Sequence, residues 1–223
     1  MDKGKLIDML GQYVTPNKKQ LIDKVLAHRT RHLTVVLEDI YQEQNASAVI
    51  RTCDCFGIQD LYITEDLHAY QVNPNVVKGA SKWINIHRYE RGPESIDICL
   101  TELKNKGYRL VGTTPDPNSA SLHELSIDKK TAIVFGTEKR GMSEVAKAKV
   151  DELVHLPMLG FTESFNISVS AALVINELSR RLRESDLDWQ LTAKEKTDLK
   201  FAWYHQIVKR ADLLINNLIK EHS

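Results

Sequence analysis

Near-continuous apolar runs, separated by segments of helical character, constrain this chain most. LTVVLE (33–38) and TAIVF (131–135) are almost wholly apolar and rich in β-branched residues, as are DLYITE (60–65) and YRLVGT (108–113). Such runs are typical of strands buried on both faces. Between them, segments such as 45–56, which stops at Gly57, carry apolar residues at helical spacing. The alternation predicts an α/β protein with a parallel sheet flanked by helices.

The other predicted elements follow the same logic. Thr15 and Pro16 have the residue types of a helix N-cap and first helical position, so a helix is expected over 17–28. Residues 190–223 contain no Gly or Pro and predict one or two further helices. Strands are also predicted at 84–89 and 151–158, and helices at 93–107, 143–149 and 166–183.

Composition limits the class of protein. No apolar run approaches the roughly 18 residues that span a bilayer. The N-terminus is charged and has no long apolar segment, so we do not expect a secretory signal. Three cysteines among 223 residues are an odd and sparse set. They indicate reduced thiols and a cytoplasmic protein rather than a disulfide framework.

Charge is unevenly distributed along the chain. Residues 1–32 carry seven Lys or Arg against three Asp or Glu, and residues 180–223 carry nine against seven. The middle, 33–179, carries fourteen against twenty, although the whole chain is neutral. Basic ends around an acidic centre are compatible with an electrostatic footprint for nucleic acid or with ordinary solvated helices.

The loop GTEKRGMS (136–143) resembles a phosphate-binding P-loop in its glycine spacing. A P-loop needs a lysine directly after the second glycine, and Met142 stands there. An ordinary turn that binds no ligand would give the charged side chains of Glu138 and Arg140 no role. Loops at the carboxyl ends of parallel strands are where open α/β sheets bind ligands, so a ligand loop is expected.

Two more segments carry candidate site residues. Asn45 fits either a helix cap or a catalytic role. Arg51 lies within an apolar helix, so it either needs an acidic or phosphate partner or faces solvent. The segment 156–178 ends a strand, passes through Glu163 and Ser164, and enters a helix capped by Asn166.

Several site classes are disfavoured. Cys53 and Cys55 lack a second cysteine or histidine cluster, and no HExxH spacing occurs, so no metal is expected. The dinucleotide fingerprint GxGxxG and the hydrolase elbow GxSxG are absent.

Three motifs together resemble a known family. They are N-x-x-x-x-x-R (45–51), F-G-T-E-K-R-G-M (135–142) and L-P-M-x-G-F-x-x-S-x-N-x-S-V-x-A-A (156–172). Their order and spacing are those of the SPOUT methyltransferases, and the chain is similar to the TrmH group of RNA 2′-O-ribose methyltransferases. The resemblance covers residues 33–183.

The resemblance implies a fold and a cofactor. SPOUT domains thread the C-terminal part of their sheet into a deep trefoil knot, an exception to the near absence of knots in proteins. Loops after Thr113, Gly136 and Pro157 would hold S-adenosylmethionine. The cofactor-binding positions that carry over are Thr113, Gly136, Leu156 and Phe165. Family members are homodimers whose active sites are completed across the interface.

The resemblance also implies catalytic positions, namely Arg51, Asn45, Glu138, Ser164 and Asn166. Arg51 would either help to activate the ribose hydroxyl or only clamp phosphate and sugar, because a guanidinium is normally not deprotonated in proteins. Asn45 would orient Arg51 or the ribose. Glu138, Ser164 and Asn166 would hold the cofactor loop and the RNA.

The substrate expected from the resemblance is tRNA. The chain is predicted to consist of a helical extension (1–32), the methyltransferase domain (33–183) and a second helical extension (184–223), the arrangement of tRNA guanosine-18 enzymes. The same chemistry on the tRNA wobble nucleotide or 23S rRNA, or a catalytically silent RNA-binding protein, are the alternatives. Trp203, Tyr204 and His205 would either stack on bases or pack. Backbone-binding candidates are Lys18, Lys19, Lys24, Arg29, Arg31, Arg180, Arg181, Arg183, Lys209 and Arg210.

Overall fold

The computed structural model describes residues 2–71, 73–77, 79–90 and 92–221. Met1 and residues 222–223, the outer ends of the two predicted extensions, lie outside the described residues. The chain divides into two compact units: residues 30–189 form one, and the described residues before 30 and after 189 together form the other. The predicted domain limits at 32/33 and 183/184 stay predictions.

The larger unit contains a sheet of seven strands in the order β3-β2-β1-β6-β4-β7-β5. Every pairing between neighbours is parallel, which confirms the predicted sheet. The strands are β1 (Leu33–Glu38), β2 (Asp60–Thr64), β3 (Asn85–Tyr89), β4 (Arg109–Thr113), β5 (Ala120–Ser121), β6 (Thr131–Phe135) and β7 (Glu152–His155).

Helices connect these strands and cover the sheet. In this unit they are α3 (Glu43–Phe56), α4 (Pro74–Val77), α5 (Ser95–Asn105), α6 (Glu144–Lys149) and α7 (Ile167–Glu184), with short 3-10 turns at Ala80–Lys82 and Leu122–Glu124. The helix α3 ends at Gly57, which adopts a left-handed conformation with φ 76°. Asn166 caps α7 by accepting from Ser168 N. Both termini were predicted from sequence.

Each face of the sheet has its own core because side chains alternate along a strand. Val35 and Leu37 of β1 pack in one cluster with apolar residues of α3 and α7. Val36, between them, points into the other cluster, where it joins residues of α5 and α6 such as Leu100 and Ala146. A strand buried on both faces has no polar side to display, which explains the unbroken apolar run in β1.

Several local predictions differ from the structure, among them the strand expected at 151–158, of which β7 covers only Glu152–His155. The helix α3 begins at Glu43, two residues before Asn45, and its N-cap Gln42 makes no side-chain cap bond. Asn45 is therefore not a helix cap. The two-residue strand β5 is too short to leave a periodic signal, and the sequence did not predict it. The predicted helix at 93–107 is shorter in the structure, where α5 covers Ser95–Asn105.

The smaller unit is helical, with α1 (Lys3–Gly11), α2 (Pro16–Leu26), α8 (Ala193–Ile207) and α9 (Ala211–Glu221). Trp203 and Tyr204 are buried, and the guanidinium of Arg29 lies 5.4 Å from the centre of the Trp203 ring. These two aromatic residues pack in the core of the unit, so the idea that they stack on bases is wrong. Among the described residues, no helix has the length and apolar character needed to cross a membrane.

Candidate active site

Three neighbouring strands end beside one another and form a pocket. The strands β6, β4 and β7 are consecutive in the sheet and parallel, so their carboxyl ends meet at one edge. A pocket of about 650 Å³ opens there, lined by Thr113, the last residue of β4, and by Gly136 and Leu156, which directly follow β6 and β7. The structure thus brings together three predicted cofactor-binding positions. The fourth, Phe165, also lines the pocket and is 42% exposed.

The loop after β6 is a tight turn that leaves no room for a side chain at Gly136. Thr137 and Gly141 exchange backbone hydrogen bonds of 2.9 and 3.0 Å, and Gly141 adopts φ 67°. A Cβ atom on Gly136 would lie 2.1 Å from the backbone nitrogen of Met142. Met142 itself is buried, with its methyl group against Gly112. The residue that stands in place of a P-loop lysine is therefore a packing residue.

Glu138 joins this turn to the start of α3. Its carboxylate accepts from the backbone N–H groups of Tyr41 and Gln42, at 3.3 and 3.4 Å, and from Asn45 Nδ2 at 2.9 Å. A carboxylate beside a helix N-terminus also interacts favourably with the helix dipole. Glu138 thus lies where it can hold the loop against α3.

Asn45 and Asn166 extend this arrangement into one hydrogen-bonded chain. Asn166 donates from Nδ2 to Asn45 Oδ1 at 3.2 Å, while its own Oδ1 accepts from the backbone and hydroxyl of Ser168. Asn45 is 6% exposed, and its amide is satisfied on both sides. The chain Glu138–Asn45–Asn166 connects the loop after β6, the first turn of α3 and the start of α7.

The remaining two predicted catalytic residues lie differently. Ser164 is exposed and lines the pocket. Arg51 is exposed on α3 and is not among the residues that line the pocket. The part of the chain that the structure describes offers Arg51 no hydrogen bond or ion pair. In the single chain the Arg51 side chain faces solvent, and its pairing with a phosphate stays a prediction.

Motif comparison missed other groups at the pocket. His155, the last residue of β7, lines it and holds Nδ1 3.2 Å from Ser119 Oγ. Gln42 lines it as well. The signal available in sequence was position alone, since each of these residues follows a strand or closes one at the carboxyl edge of the sheet.

Two acidic residues at the end of β1 support the neighbouring turns. Burial raises the pKa of Glu38, whose Oε2 accepts from Ser143 N at 3.1 Å at the end of the loop after β6. Burial also opposes ionisation of Asp39, but N–H groups of residues 66–68 converge on its carboxylate and hold its pKa below the ordinary value. Both side chains fix backbone next to the pocket.

Seven of the ten basic residues proposed for RNA binding fall into two groups, while Arg180 pairs with Glu184 and Lys18 and Lys19 are half-buried. Arg29 is buried, Arg31 binds Asp60 at 2.6 Å, and Arg181 and Arg183 donate to backbone carbonyls. These four side chains stabilise the folded protein, so fewer basic residues than predicted are left to contact RNA. Lys24, Lys209 and Arg210 are exposed.

Comparison with known proteins agrees with this geometry. Residues 32–176 match the SpoU rRNA Methylase family. The chain is 44% identical to the tRNA (guanosine(18)-2′-O)-methyltransferase of Borreliella burgdorferi, over 98% of each chain. It is 34% identical to the Thermus thermophilus enzyme of the same name, over 78% of this chain and 87% of that one.

A solved structure gives the same result. The Aquifex aeolicus TrmH/SpoU tRNA modifying enzyme superposes with a TM-score of 0.76 at 27% identity, covering 86% of this chain and 98% of that one. The predicted resemblance to the TrmH group is therefore confirmed. On its sequence and its fold, the chain belongs to the SpoU rRNA Methylase family.

Proposed function

We propose that this protein transfers a methyl group from S-adenosylmethionine to the ribose 2′-hydroxyl of guanosine 18 in tRNA. The observation that carries the proposal is the pocket at the ends of β4, β6 and β7, bordered by the Glu138–Asn45–Asn166 chain. The relative from Borreliella burgdorferi, similar over nearly the whole chain and named for guanosine 18, supports the choice of nucleotide.

The pocket fits the cofactor in size and chemistry. Its volume of about 650 Å³ falls within the range usual for small-molecule sites. Its wall combines apolar side chains such as Phe135 and Leu156 with backbone of the Gly136 turn, which suits an adenosine and a methionine moiety. When bound, S-adenosylmethionine would supply the methyl group for an in-line displacement: the bond from the methyl carbon to the ribose oxygen forms as the methyl–sulfur bond breaks, S-adenosylhomocysteine departs, and the hydroxyl proton passes to water or to a substrate phosphate.

The side chains around the pocket have distinct roles in this proposal. Glu138 and Asn45 are positioning residues, because their polar atoms are engaged with each other and with backbone. Asn166 fixes the start of α7 in the same way. Ser164 is exposed toward the pocket and is free to contact the RNA or the cofactor. Arg51 supplies the positive charge that aligns the ribose and its phosphate.

A homodimer would complete the site. Val169 and Leu173 on α7, and Phe165 just before its N-cap, follow one another at four-residue intervals and are 45%, 41% and 42% exposed. An apolar stripe of this kind on a helix is typical of a protein–protein contact. Arg51, which lies outside the pocket of its own chain, would then serve the pocket of the second copy. The trefoil knot expected of the family belongs to the same proposal.

Exposed cations of the smaller unit would bind the tRNA backbone. Lys24, Lys209 and Arg210 are exposed and lie in the smaller unit. Phosphate contacts of this kind give affinity without sequence preference and weaken with salt. A tRNA substrate makes the cytoplasm the expected place of action.

An assay with tritiated S-adenosylmethionine and bulk tRNA tests the proposal, followed by mapping of the labelled nucleoside. We expect label at guanosine 18 as the 2′-O-methyl derivative. Label in ribosomal RNA but not in tRNA would overturn the substrate. No label in any RNA would leave an RNA-binding protein without methyltransferase activity.

The shared site has a sharper test. Arg51→Ala and Glu138→Gln should each lose methyl transfer, Arg51→Ala with unchanged stability because its side chain is exposed and makes no described contact. If Arg51 serves the partner's pocket, mixing the two inactive variants and allowing the dimers to exchange subunits restores activity. If Arg51 acts on its own pocket, both sites of the mixed dimer stay inactive. Light scattering establishes the oligomeric state of each sample.

A further inference from the structure

A second pocket adjoins the first. Its volume is about 490 Å³, and it lies between the start of α3 and the segment after β2. Gln42 lines both pockets, so the two are adjacent at that residue. No motif described above accounts for this second pocket.

Tyr41 forms an aromatic wall of the second pocket. Its side chain is 60% exposed, although the ring is held from two sides. The ring of His68 meets it edge-on at 4.9 Å and 78°, and Lys139 Nζ lies 5.6 Å from its centre. Its backbone N–H donates to Glu138 of the Gly136 turn.

The surroundings of Tyr41 are fixed by hydrogen bonds. Asp39 Oδ1 accepts from three consecutive backbone N–H groups, those of Asp66, Leu67 and His68. Asp39 Oδ2 lies 2.9 Å from His68 Nδ1 and so orients the ring that contacts Tyr41. An exposed aromatic ring held in this manner is a preformed stacking surface, since little side-chain freedom remains to be lost on binding.

We infer that this second pocket receives the base of the target guanosine, with Tyr41 as its stacking surface. The inference rests on the proposed function. A ribose hydroxyl can reach the first pocket only if its nucleotide leaves its neighbours, and an extruded base is held by stacking on aromatic side chains. The second pocket adjoins the Glu138–Asn45–Asn166 chain at Gln42, which lines both pockets and whose backbone N–H donates to Glu138.

Glu43 gives the pocket a preference for guanine. Its side chain lines the pocket, and its Oε1 accepts from Asn73 Nδ2 at 3.2 Å, which orients the carboxylate. Asn73 is itself anchored, because its backbone N–H donates to Ser47 Oγ at 2.9 Å. The Watson–Crick edge of guanine presents two adjacent N–H donors, N1 and N2. A carboxylate accepts both, whereas adenine offers it no such pair.

Kinetics of Tyr41 variants test the stacking surface. Tyr41→Ala should lower kcat/KM for tRNA by roughly ten- to hundredfold, the usual effect of removing a base-stacking ring, while Tyr41→Phe retains most of it. The affinity for S-adenosylmethionine, measured by calorimetry, should not change. Tyr13→Ala is the matched control, since Tyr13 is also 60% exposed but lies in the smaller unit. Equal losses for Tyr41→Ala and Tyr13→Ala, or no loss for Tyr41→Ala in an active wild type, would overturn the inference.

Base discrimination tests Glu43 separately from folding. Inosine at position 18 keeps N1–H and O6 but lacks the 2-amino group. The wild type should prefer guanosine to inosine by roughly tenfold, the worth of a hydrogen bond to a charged group. For Glu43→Ala this ratio should approach one, because the carboxylate that accepts from the 2-amino group is lost. A general structural defect would instead lower both rates alike and leave the ratio unchanged. An unchanged ratio contradicts the role of Glu43. A wild type that methylates no tRNA refutes the proposed function itself, which is a different result.

Discussion

Two carboxylates at opposite ends of the sheet show how one kind of group serves different purposes. Asp60, the first residue of β2, lies at the amino edge and is bound by Arg31 at 2.6 Å, Asn85 at 2.8 Å and His87 at 3.1 Å. Glu138, at the carboxyl edge, accepts only from backbone N–H groups and the Asn45 amide, with no cation on its oxygens in the described residues.

The difference in hydrogen-bond partners indicates that Asp60 stabilises the sheet, whereas Glu138 supports the candidate site. Burial alone would raise the pKa of Asp60, but the hydrogen bond from His87 and the charge of Arg31 lower it below the ordinary value. A buried charge with a cation partner belongs to the stability of the sheet. Glu138 instead joins two segments that border the pocket. Losing it should therefore affect activity more than stability.

The largest expected effect is at the carboxyl edge, from Gly136→Ala. The new Cβ would lie 2.1 Å from Met142 N and 2.2 Å from Gly141 C, so the turn and Glu138 must move. A displacement of about 1 Å near a site typically costs a hundredfold in rate, and we expect at least about that loss of kcat/KM. Gly11→Ala is the control, because its nearest neighbouring atom would be 3.4 Å away. Equal activity of the two variants would contradict the packing argument.

The next effect comes from neutralising each carboxylate in turn. Asp60→Asn should lower the free energy of unfolding by about 2 kcal/mol, less than for a fully buried pair because Arg31 is 27% exposed. Its activity per folded molecule should stay at the wild-type level. Glu138→Gln should show the reverse, with a loss of rate and a change in unfolding free energy below about 1 kcal/mol. Urea denaturation and methyl-transfer kinetics measure the two quantities. A variant that changed both equally would remove the distinction between the edges.

The smallest effect is the pH dependence of stability. Because the pKa of Asp60 is lowered in the folded state, its contribution is complete above its unfolded pKa of about 3.9 and disappears as the pH falls through the folded value. Asp39 has the same sign, while the raised pKa of Glu38 acts in the opposite direction. The difference in urea midpoint between wild type and Asp60→Asn should therefore shrink from pH 6 toward pH 3. A constant difference would show that the charge of Asp60 is not what stabilises this edge.

Much of the sheet could be predicted because the apolar composition of its strands reflects their burial. β1 and β6 are apolar throughout, and a parallel sheet covered on both faces is what such strands require. Cap residues with side-chain bonds, such as Thr15 and Asn166, also gave correct helix starts. The site residues came from the motifs and not from periodicity.

What could not be predicted depends on tertiary partners. The start of α3 was placed too late because Gln42 has no local capping bond. The exposure of Arg51 depends on which face of α3 packs, and its apolar neighbours in sequence gave the wrong impression of burial. Arg181 and Arg183 were predicted to bind the RNA backbone, but their guanidinium groups donate to backbone carbonyls that are distant in sequence.

The contact between Glu138 and the start of α3 makes two distant segments thermodynamically dependent on each other. Tyr41 and Gln42 donate to a carboxylate 97 and 96 residues away. If the turn after β6 shifts, these N–H groups lose their acceptor and the first turn of α3 loosens. Anything that holds the turn in place must therefore tighten α3 as well, and by linkage anything that orders α3 must strengthen the hold on the turn. On the proposed assignment of the two pockets described above, filling one of them would therefore favour filling the other.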